Sequence, residues 1–293
     1  MESVASKAEA RKAVADARCD GKTIALVPTM GALHDGHLAL VRAARARAAY
    51  VAVSVFVNPT QFTSGDDFDS YPRDLYRDLE TLAAEGVDLV FAPSAAHMYA
   101  PDAAVTVDPG PLASRWEGEV RPGHFRGVAT VVTKLLSIVR PDVAFFGEKD
   151  YQQLQVVRSV IADLDLAVTI AAHPVVRDRD GVALSSRNVL LDAETRRAAR
   201  AVPAALDAAA EALAWGECDA RALEGVMMDA LAAEPLLTVD YAAVVDPHTL
   251  EPASALTAAA RALIAVRAGA VRLIDNGELV APPEGPQRKG TGR

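Results

Sequence analysis

The sequence predicts an α/β protein: a parallel sheet with helices on both faces, followed by a smaller α+β unit. Three observations carry this. Over the first two thirds, short β-branched runs alternate with amphipathic helical runs, as in successive βαβ units. Residues 50–58 (YVAVSVFVN) are apolar without alternation, as expected of a strand buried on both faces. After Arg187 the texture changes to Ala-rich helices and a few strands.

Residues 23–28 (TIALVP) form the first apolar run. In 36–48, Leu38, Leu40 and Val41 precede Arg42, Arg45 and Arg47, which marks a helix with a solvated basic face. The strand at 50–58 follows. A helix over 72–85 is opened by Pro72 and closed near Gly86. Residues 87–92 read as a strand, and 126–139 carry apolar residues at helical spacing. A strand at 143–146, a helix at 151–162 and a strand at 167–176 complete the alternation. Right-handed crossovers place ligands beyond the carboxyl ends of such strands. Asp178-Arg179-Asp180-Gly181 is polar and turn-prone, and sets a boundary between a Rossmann-like domain, 1–176, and a smaller C-terminal domain, 177–293. The latter holds helices at 192–214 and 219–234 and strands at 239–245, 262–267 and 271–274. Its tail, 282–293 (PPEGPQRKGTGR), is expected to be disordered. No internal repeat is visible.

The chain has 293 residues, 51% apolar and 24% charged, which excludes general disorder and leaves ample length for a core. A net charge of −9 argues against nucleic acid or an anionic membrane as a global partner, while leaving room for a small basic pocket. Cys19 and Cys218 form no close-spaced metal or redox motif, so a reducing compartment is expected. The first twenty residues lack the apolar core of a signal peptide, and no stretch approaches twenty uninterrupted apolar residues. A cytoplasmic location is the expectation.

Three constellations carry chemistry. The first is Pro28-Thr29-Met30-Gly31-Ala32-Leu33-His34-Asp35-Gly36-His37, between a strand and a helix. Backbone N–H groups at a helix start are unpaired and favour phosphate. Gly31 and Gly36 admit a ligand close to the backbone. His34 and His37, three apart, share a face and can donate to phosphate oxygens. Zinc is a weaker alternative, since no third His or Cys lies nearby. The second is Gly147-Glu148-Lys149-Asp150, again between strand and helix, with Gln153 one turn on. Lys149 offers an ammonium to phosphate, and Asp150 can accept from ribose hydroxyls or cap the helix. Leu184-Ser185-Ser186-Arg187 adds two hydroxyls and a guanidinium fork, an anion-binding set on a loop joining the domains. The third is Asn58-Pro59-Thr60-Gln61, at the carboxyl end of strand 50–58. The Gln61 amide suits a small hydroxy acid, and 63–70 (TSGDDFDS) reads as a lid.

The words PTMGALHDGH, FVNPTQF, YPRD, RPGHFRGV, FGEKDYQQL and ALSSRN, in this order, resemble the pantoate–β-alanine ligases, within the H-x-G-H nucleotidyltransferase superfamily. The resemblance runs from about Thr23 to Asn188 and continues more weakly beyond. It implies an ATP-dependent ligase that joins pantoate to β-alanine through pantoyl adenylate, releasing AMP and pyrophosphate, with Mg²⁺ as cofactor. It implies a homodimer, with ATP, pantoate and β-alanine as its small-molecule partners. Residue by residue, it places Met30, Gly31, Ala32, Leu33, His34, Asp35, Gly36 and His37 around ATP. His37 matches the position labelled proton donor. Gly147, Glu148, Lys149, Asp150, Val176, Leu184, Ser185, Ser186 and Arg187 also fall on ATP. His34, Lys149 and Arg187 join His37 as catalytic candidates. Gln61 and Gln153 fall on pantoate, Gln61 also near β-alanine, and Asn58 and Arg121 border the substrate. Asp78 is the implied Mg²⁺ contact. The preceding position, often acidic in that family, is Arg77 here, implying a metal held mainly by ATP. A related adenylyltransferase would share the histidines without needing the Gln61/Gln153 pair. A non-catalytic nucleotide-binding module would bind ATP without releasing pyrophosphate. The C-terminal domain, with no second Gly turn paired with His or Lys, is expected to act as a lid.

Overall fold

The computed structural model describes residues 1–62, 68–69, 71–256 and 259–281. Most of the expected lid at 63–70 and the whole tail at 282–293 lie outside the described residues. The chain forms two compact units, Met1–Arg179 with Ala183–Asn188, and Asp180–Val182 with Val189–Arg293.

The first unit is a six-stranded, all-parallel, Rossmann-like sheet. Its elements are β1 (Glu2–Val4), α1 (Lys7–Cys19), β2 (Ile24–Thr29), α2 (Asp35–Arg45), β3 (Tyr50–Val55), α3 (Leu75–Ala84), β4 (Leu89–Phe91), α4 (Ala95–Met98), α5 (Glu117–Val120), α6 (His124–Val139), β5 (Val143–Gly147), α7 (Tyr151–Asp163) and β6 (Thr169–His173). The strand order is β1-β4-β3-β2-β5-β6. From β2 the chain winds outward through β3 and β4, then crosses back to β5 on the other side. The order therefore reverses between β2 and β5, and a crevice opens beyond their carboxyl ends.

Strand alternation divides the core between the two faces. Ile24 and Leu26, Tyr50 and Ala52, Leu89 and Phe91, Ala144 and Phe146 pack with Val14 of α1, Val132 of α6 and Val157 of α7. Ala25 and Val27, Val51 and Val53, Val90, Val143 and Phe145 pack with Val41 of α2 and Leu82 of α3. Strands buried on both faces read as unbroken apolar runs, which explains the 50–58 signal.

Several expected boundaries move, each for a local reason. The sequence reading assigned no element to residues 1–20, yet β1 and α1 form there. Ser6 and Glu9 make a capping box, and Ala10, Ala13, Val14 and Ala17 lie buried along one face. The helix expected from Pro72 begins at Leu75, capped by the Asp74 side chain on Arg77 N. The helix expected from Arg126 begins at His124, entered through Gly123 at φ +88°. Residues 177–179 and 183–188, expected with the C-terminal domain, group with the first unit. Leu184 N donates to Val176 O at 2.9 Å, returning this segment to the end of β6.

The second unit contains α8 (Ala193–Ala199), α9 (Ala201–Ala214), α10 (Ala220–Ala232), β7 (Leu237–Val245), β8 (Ala259–Ala268) and β9 (Val271–Val280). The three strands form an antiparallel sheet, β7-β8-β9. Leu206 of α9 and Met227 of α10 pack with its Val244, Ile264 and Leu273. The single helix expected over 192–214 is two. Pro203 has no N–H and its ring crowds the carbonyl of Ala199, so the break falls at Arg200. The strand expected over 271–274 runs to Val280. Asp275-Asn276-Gly277 resembles a turn, but these residues pair with Ile264, Leu263 and Ala262. Asn276 is held by Arg261 Nε at 2.7 Å. Among the described residues no helix is long and apolar enough to cross a membrane.

Candidate active site

A cavity of about 220 Å³ opens beyond the carboxyl ends of β2 and β5, and its lining belongs to the first unit. The three sequence constellations meet in it. Met30, His34, Gly36 and His37 follow β2; Gly147, Lys149 and Asp150 follow β5; Gln153 stands on α7. Asn58, Gln61, Arg121, Val176, Leu184, Ser185, Ser186 and Arg187 also line it. Gly31, Ala32, Leu33, Asp35, Glu148 and Asp78 do not.

His34 is the N-cap of α2 and His37 its third residue, and each caps through the other's backbone. His34 Nδ1 accepts from Gly36 N at 3.2 Å, and His37 Nδ1 accepts from His34 N at 3.3 Å. An imidazole nitrogen that accepts carries no proton, so both neutral rings bear their proton on Nε2. The ring centroids are 4.0 Å apart and tilted by 33°. A Cβ on Gly36 would come within 2.9 Å of His34 Cε1, so the glycine of H-x-G-H is needed for this folded-over ring. Burial, then Lys149, push His34 down to about 4. Burial, then His34, push His37 down to about 3. Both rings are therefore uncharged near neutral pH, and each can offer a neutral Nε2–H as a donor.

The backbone of this turn differs from the sequence expectation. The N–H groups of Gly31, Ala32, Leu33, His34, Gly36 and His37 are bonded within the protein rather than left for phosphate. Gly31 N donates to Thr29 Oγ1 at 3.2 Å, and His37 N to His34 O at 2.8 Å. Ala32 N and Leu33 N donate to the Asp78 carboxylate at 3.0 and 2.9 Å. His34 and His37 both line the cavity, whereas Gly31, Ala32 and Leu33 do not.

The Asp78 result also bears on metal binding. Asp78 is 4% exposed and each of its oxygens already accepts an N–H. Burial raises its carboxyl, the two amide hydrogen bonds opposing that shift. Among the described residues no group of three or more His, Cys, Asp or Glu could hold a metal. A carboxylate already engaged by two backbone amides, with no such group around it, is a poor fit for a protein-held Mg²⁺.

On the opposite wall, Lys149 Nζ lies 3.5 Å from Asp150 Oδ1. Burial would raise Asp150, but Lys149 and then Arg187 outweigh it and hold the carboxylate below its usual range. Arg187 stacks over the Tyr71 ring at 5.5 Å. Ser186 Oγ donates to Ala32 O at 3.2 Å, and Ser185 Oγ accepts from Arg187 N at 3.3 Å. Of the two adjacent glutamines, Gln152 is structural. Its Nε2 donates to Leu112 O and Arg115 O, and its Oε1 accepts from Glu117 N.

The third wall is a fixed amide network. Tyr99 OH donates to Asn58 Oδ1 at 2.7 Å, and Asn58 Nδ2 donates to Gln61 Oε1 at 3.1 Å. Gln61 Nε2 points to Met30 Sδ at 3.0 Å. His124 joins Gln61 to Arg121. A guanidinium only donates, so His124 Nε2 accepts from Arg121 Nη1 at 3.2 Å and Nδ1–H donates to Gln61 O at 2.7 Å. Behind these lie apolar side chains including Phe56, Val131 and Leu135. The sequence reading gave no role to Tyr71, Tyr99 or His124. Tyr71 and His124 sit inside the words YPRD and RPGHF, and that placement was the only signal.

The profile of the pantoate–β-alanine ligase family matches residues 2–278. A pantothenate synthetase of Rhizorhabdus wittichii is 50% identical over 276 residues, covering 94% of this chain and 98% of that one. One from Rubrobacter xylanophilus is 52% identical over 270 residues, covering 89% and 93%. The crystal structure of the Thermus thermophilus pantothenate synthetase superposes with a TM-score of 0.91 at 48% identity, covering 96% and 100%. The Francisella tularensis pantoate–β-alanine ligase, solved with β,γ-ATP and β-alanine, superposes with a TM-score of 0.78 at 31% identity, covering 94% and 97%.

Proposed function

The chain belongs to the pantoate–β-alanine ligase family, and from that premise we propose how its cavity carries out the ATP-dependent condensation of pantoate with β-alanine. A carboxylate is a poor acylating agent, so pantoate is first activated. Its carboxylate oxygen attacks the α-phosphorus of ATP, the bond to the β-phosphate oxygen breaks, and pyrophosphate leaves. The β-alanine amine then attacks the acyl carbon of pantoyl adenylate. The acyl–oxygen bond breaks, AMP departs with the electron pair, and the amine proton is released.

In the first step negative charge builds on the β- and γ-phosphates, so donors aimed there stabilise the transition state more than the ground state. His34 and His37 supply these as neutral Nε2–H groups, with the Lys149 ammonium and the Arg187 guanidinium completing the set. Asp150 accepts from ribose hydroxyls, and Val176 and Leu184 border the base. Gln61, Gln153, Asn58 and Arg121 bind and orient pantoate, with Gln61 also near the entering amine. Mg²⁺ enters as the counter-ion of the triphosphate, part of the substrate MgATP, and no residue is assigned to hold it. A cytoplasmic location rests on the cysteine usage and a homodimer on the family resemblance, and light scattering in solution checks the second point.

The observation that carries this reading is the pair of fixed-tautomer imidazoles facing Lys149 across the β2/β5 crevice. The test is isotopic. With pantoate labelled with ¹⁸O in its carboxylate, pyrophosphate release precedes β-alanine addition, and AMP acquires one labelled oxygen afterwards. Unlabelled AMP would rule out the acyl-adenylate route.

A further inference from the structure

We propose that Asp78 is a positioning residue: its carboxylate holds by the backbone the turn 31–34 that carries His34, and it is not a ligand for Mg²⁺. The proposal rests on the reading above that His34 and His37 meet the triphosphate.

The turn needs such a clamp. Gly31 has φ +82° and Ala32 has φ +50°, so two successive residues sit in the left-handed region, where a residue with a Cβ is strained. Successive amides in such a turn converge into a concavity that binds an anion. Here the guest is a carboxylate of the same chain, brought from α3. Its Oδ2 accepts from Ala32 N and its Oδ1 from Leu33 N. The carboxylate lies so close that a Cβ on Gly31 would come within 2.8 Å of Asp78 Oδ2. Ser186 Oγ takes the Ala32 carbonyl from the other side. The turn is thus held by its N–H groups and by one C=O, and it ends on His34, the N-cap of α2. Displacing Asp78 would move the N-cap of α2, and with it both Nε2–H donors.

The expected consequence is selective. Asp78→Asn keeps the shape but offers one acceptor oxygen where two are needed, and its amide nitrogen faces the second N–H. Hydrogen exchange at Ala32 and Leu33 should accelerate about tenfold or more, since a charge-assisted bond to a buried carboxylate is lost. The KM for ATP should rise by a similar factor while that for pantoate is unchanged. The Mg²⁺ concentration giving half-maximal pyrophosphate release at saturating ATP should not move. A merely structural role would loosen the unit as a whole and spare neither substrate. A metal-ligand role would shift the Mg²⁺ dependence and leave the two amides alone, and either outcome overturns the proposal. Wild-type protein supplies a second measurement that needs no variant to fold. Mn²⁺ titrated without nucleotide and followed by electron paramagnetic resonance should stay free, and the Ala32 and Leu33 amides should exchange slowly. Mn²⁺ bound by the nucleotide-free protein, or fast exchange at both amides, refutes the clamp. Exchange and Mn²⁺ binding need no turnover, so a failure of the ligase reading is separable from a failure of this one.

Discussion

Replacing His37 by Ala removes two different things, and their sizes differ. The first is the Nδ1 acceptor for His34 N, half of the reciprocal cap on α2. Loss of a cap costs about 1 kcal/mol, a fall in Tm of roughly 2–4 °C for a unit of this size. The second is the Nε2–H donor in the cavity. Loss of one preorganised donor to developing charge costs about 3 kcal/mol, roughly a hundredfold or more in rate. The catalytic loss should therefore far exceed the stability loss. The assay is single-turnover pyrophosphate release with ATP and pantoate, without β-alanine, beside a thermal melt of the same sample. His34→Ala should cost a similar amount of stability, because it removes the other half of the cap. The double variant should lose less than the sum, with a coupling of about 0.5 kcal/mol or more, since each ring fixes the other. A folded His37→Ala protein with wild-type pyrophosphate release would remove His37 from the mechanism.

Three further outcomes follow from the same geometry. The imidazoles sit at about 4 and about 3 against an ordinary 6.5, so between those values the unfolded chain takes up protons that the native chain refuses. Stability should therefore fall as pH is lowered below about 6.5, each ring contributing at most about 1.4 kcal/mol per pH unit and less for the half-exposed His34; denaturant melts at descending pH should show a shallower decline in His37→Ala, and an equal decline would discount the native shift. Gly127→Ala puts a Cβ 2.1 Å from the Thr60 carbonyl oxygen, a backbone atom beside Gln61; overpacking of about 2 kcal/mol should appear as a lower Tm together with a raised KM for pantoate, and an unshifted KM would detach Gln61 from that substrate. Lys149→Ala should raise the KM for ATP and Gln153→Ala that for pantoate, and the reverse pattern in steady-state titrations would exchange the two assignments.

How much of this was legible depended on the range of the interactions. Strands buried on both faces wrote their own signal, because Val51 and Val53 answer to one helical layer and Tyr50 and Ala52 to the other. The α1 helix was readable in Ser6, Glu9 and the Ala-rich face behind them, but small alanines make a weak apolar stripe. The break at Arg200 was readable too, since Pro203 stands where its ring reaches Ala199. The run of β9 through Asp275 and Asn276 was not, because what makes the buried Asn276 tolerable is Arg261, fifteen residues away on the neighbouring strand. The site divides in the same way. Motif words named the residues that line the cavity, while the fate of the turn's amides was hidden, because Asp78 reaches them from 45 and 46 residues along the chain.

That hidden clamp changes what H-x-G-H does. A helix start with free amides would grip a triphosphate before and during reaction alike, and uniform binding does not accelerate chemistry. In this turn the amides are spent on Asp78, on Thr29 and on the histidines themselves. On the proposed reading the triphosphate then meets two Nε2–H groups, fixed because each Nδ1 is occupied. An imidazolium pair with centroids 4.0 Å apart would repel itself, and would hold the triphosphate strongly in its ground state. On the proposed mechanism, the same pair kept neutral by burial binds the ground state less and gains as charge moves onto the departing pyrophosphate. The glycine between them serves this arrangement, because any Cβ at Gly36 would strike the ring that has folded back to take its amide proton.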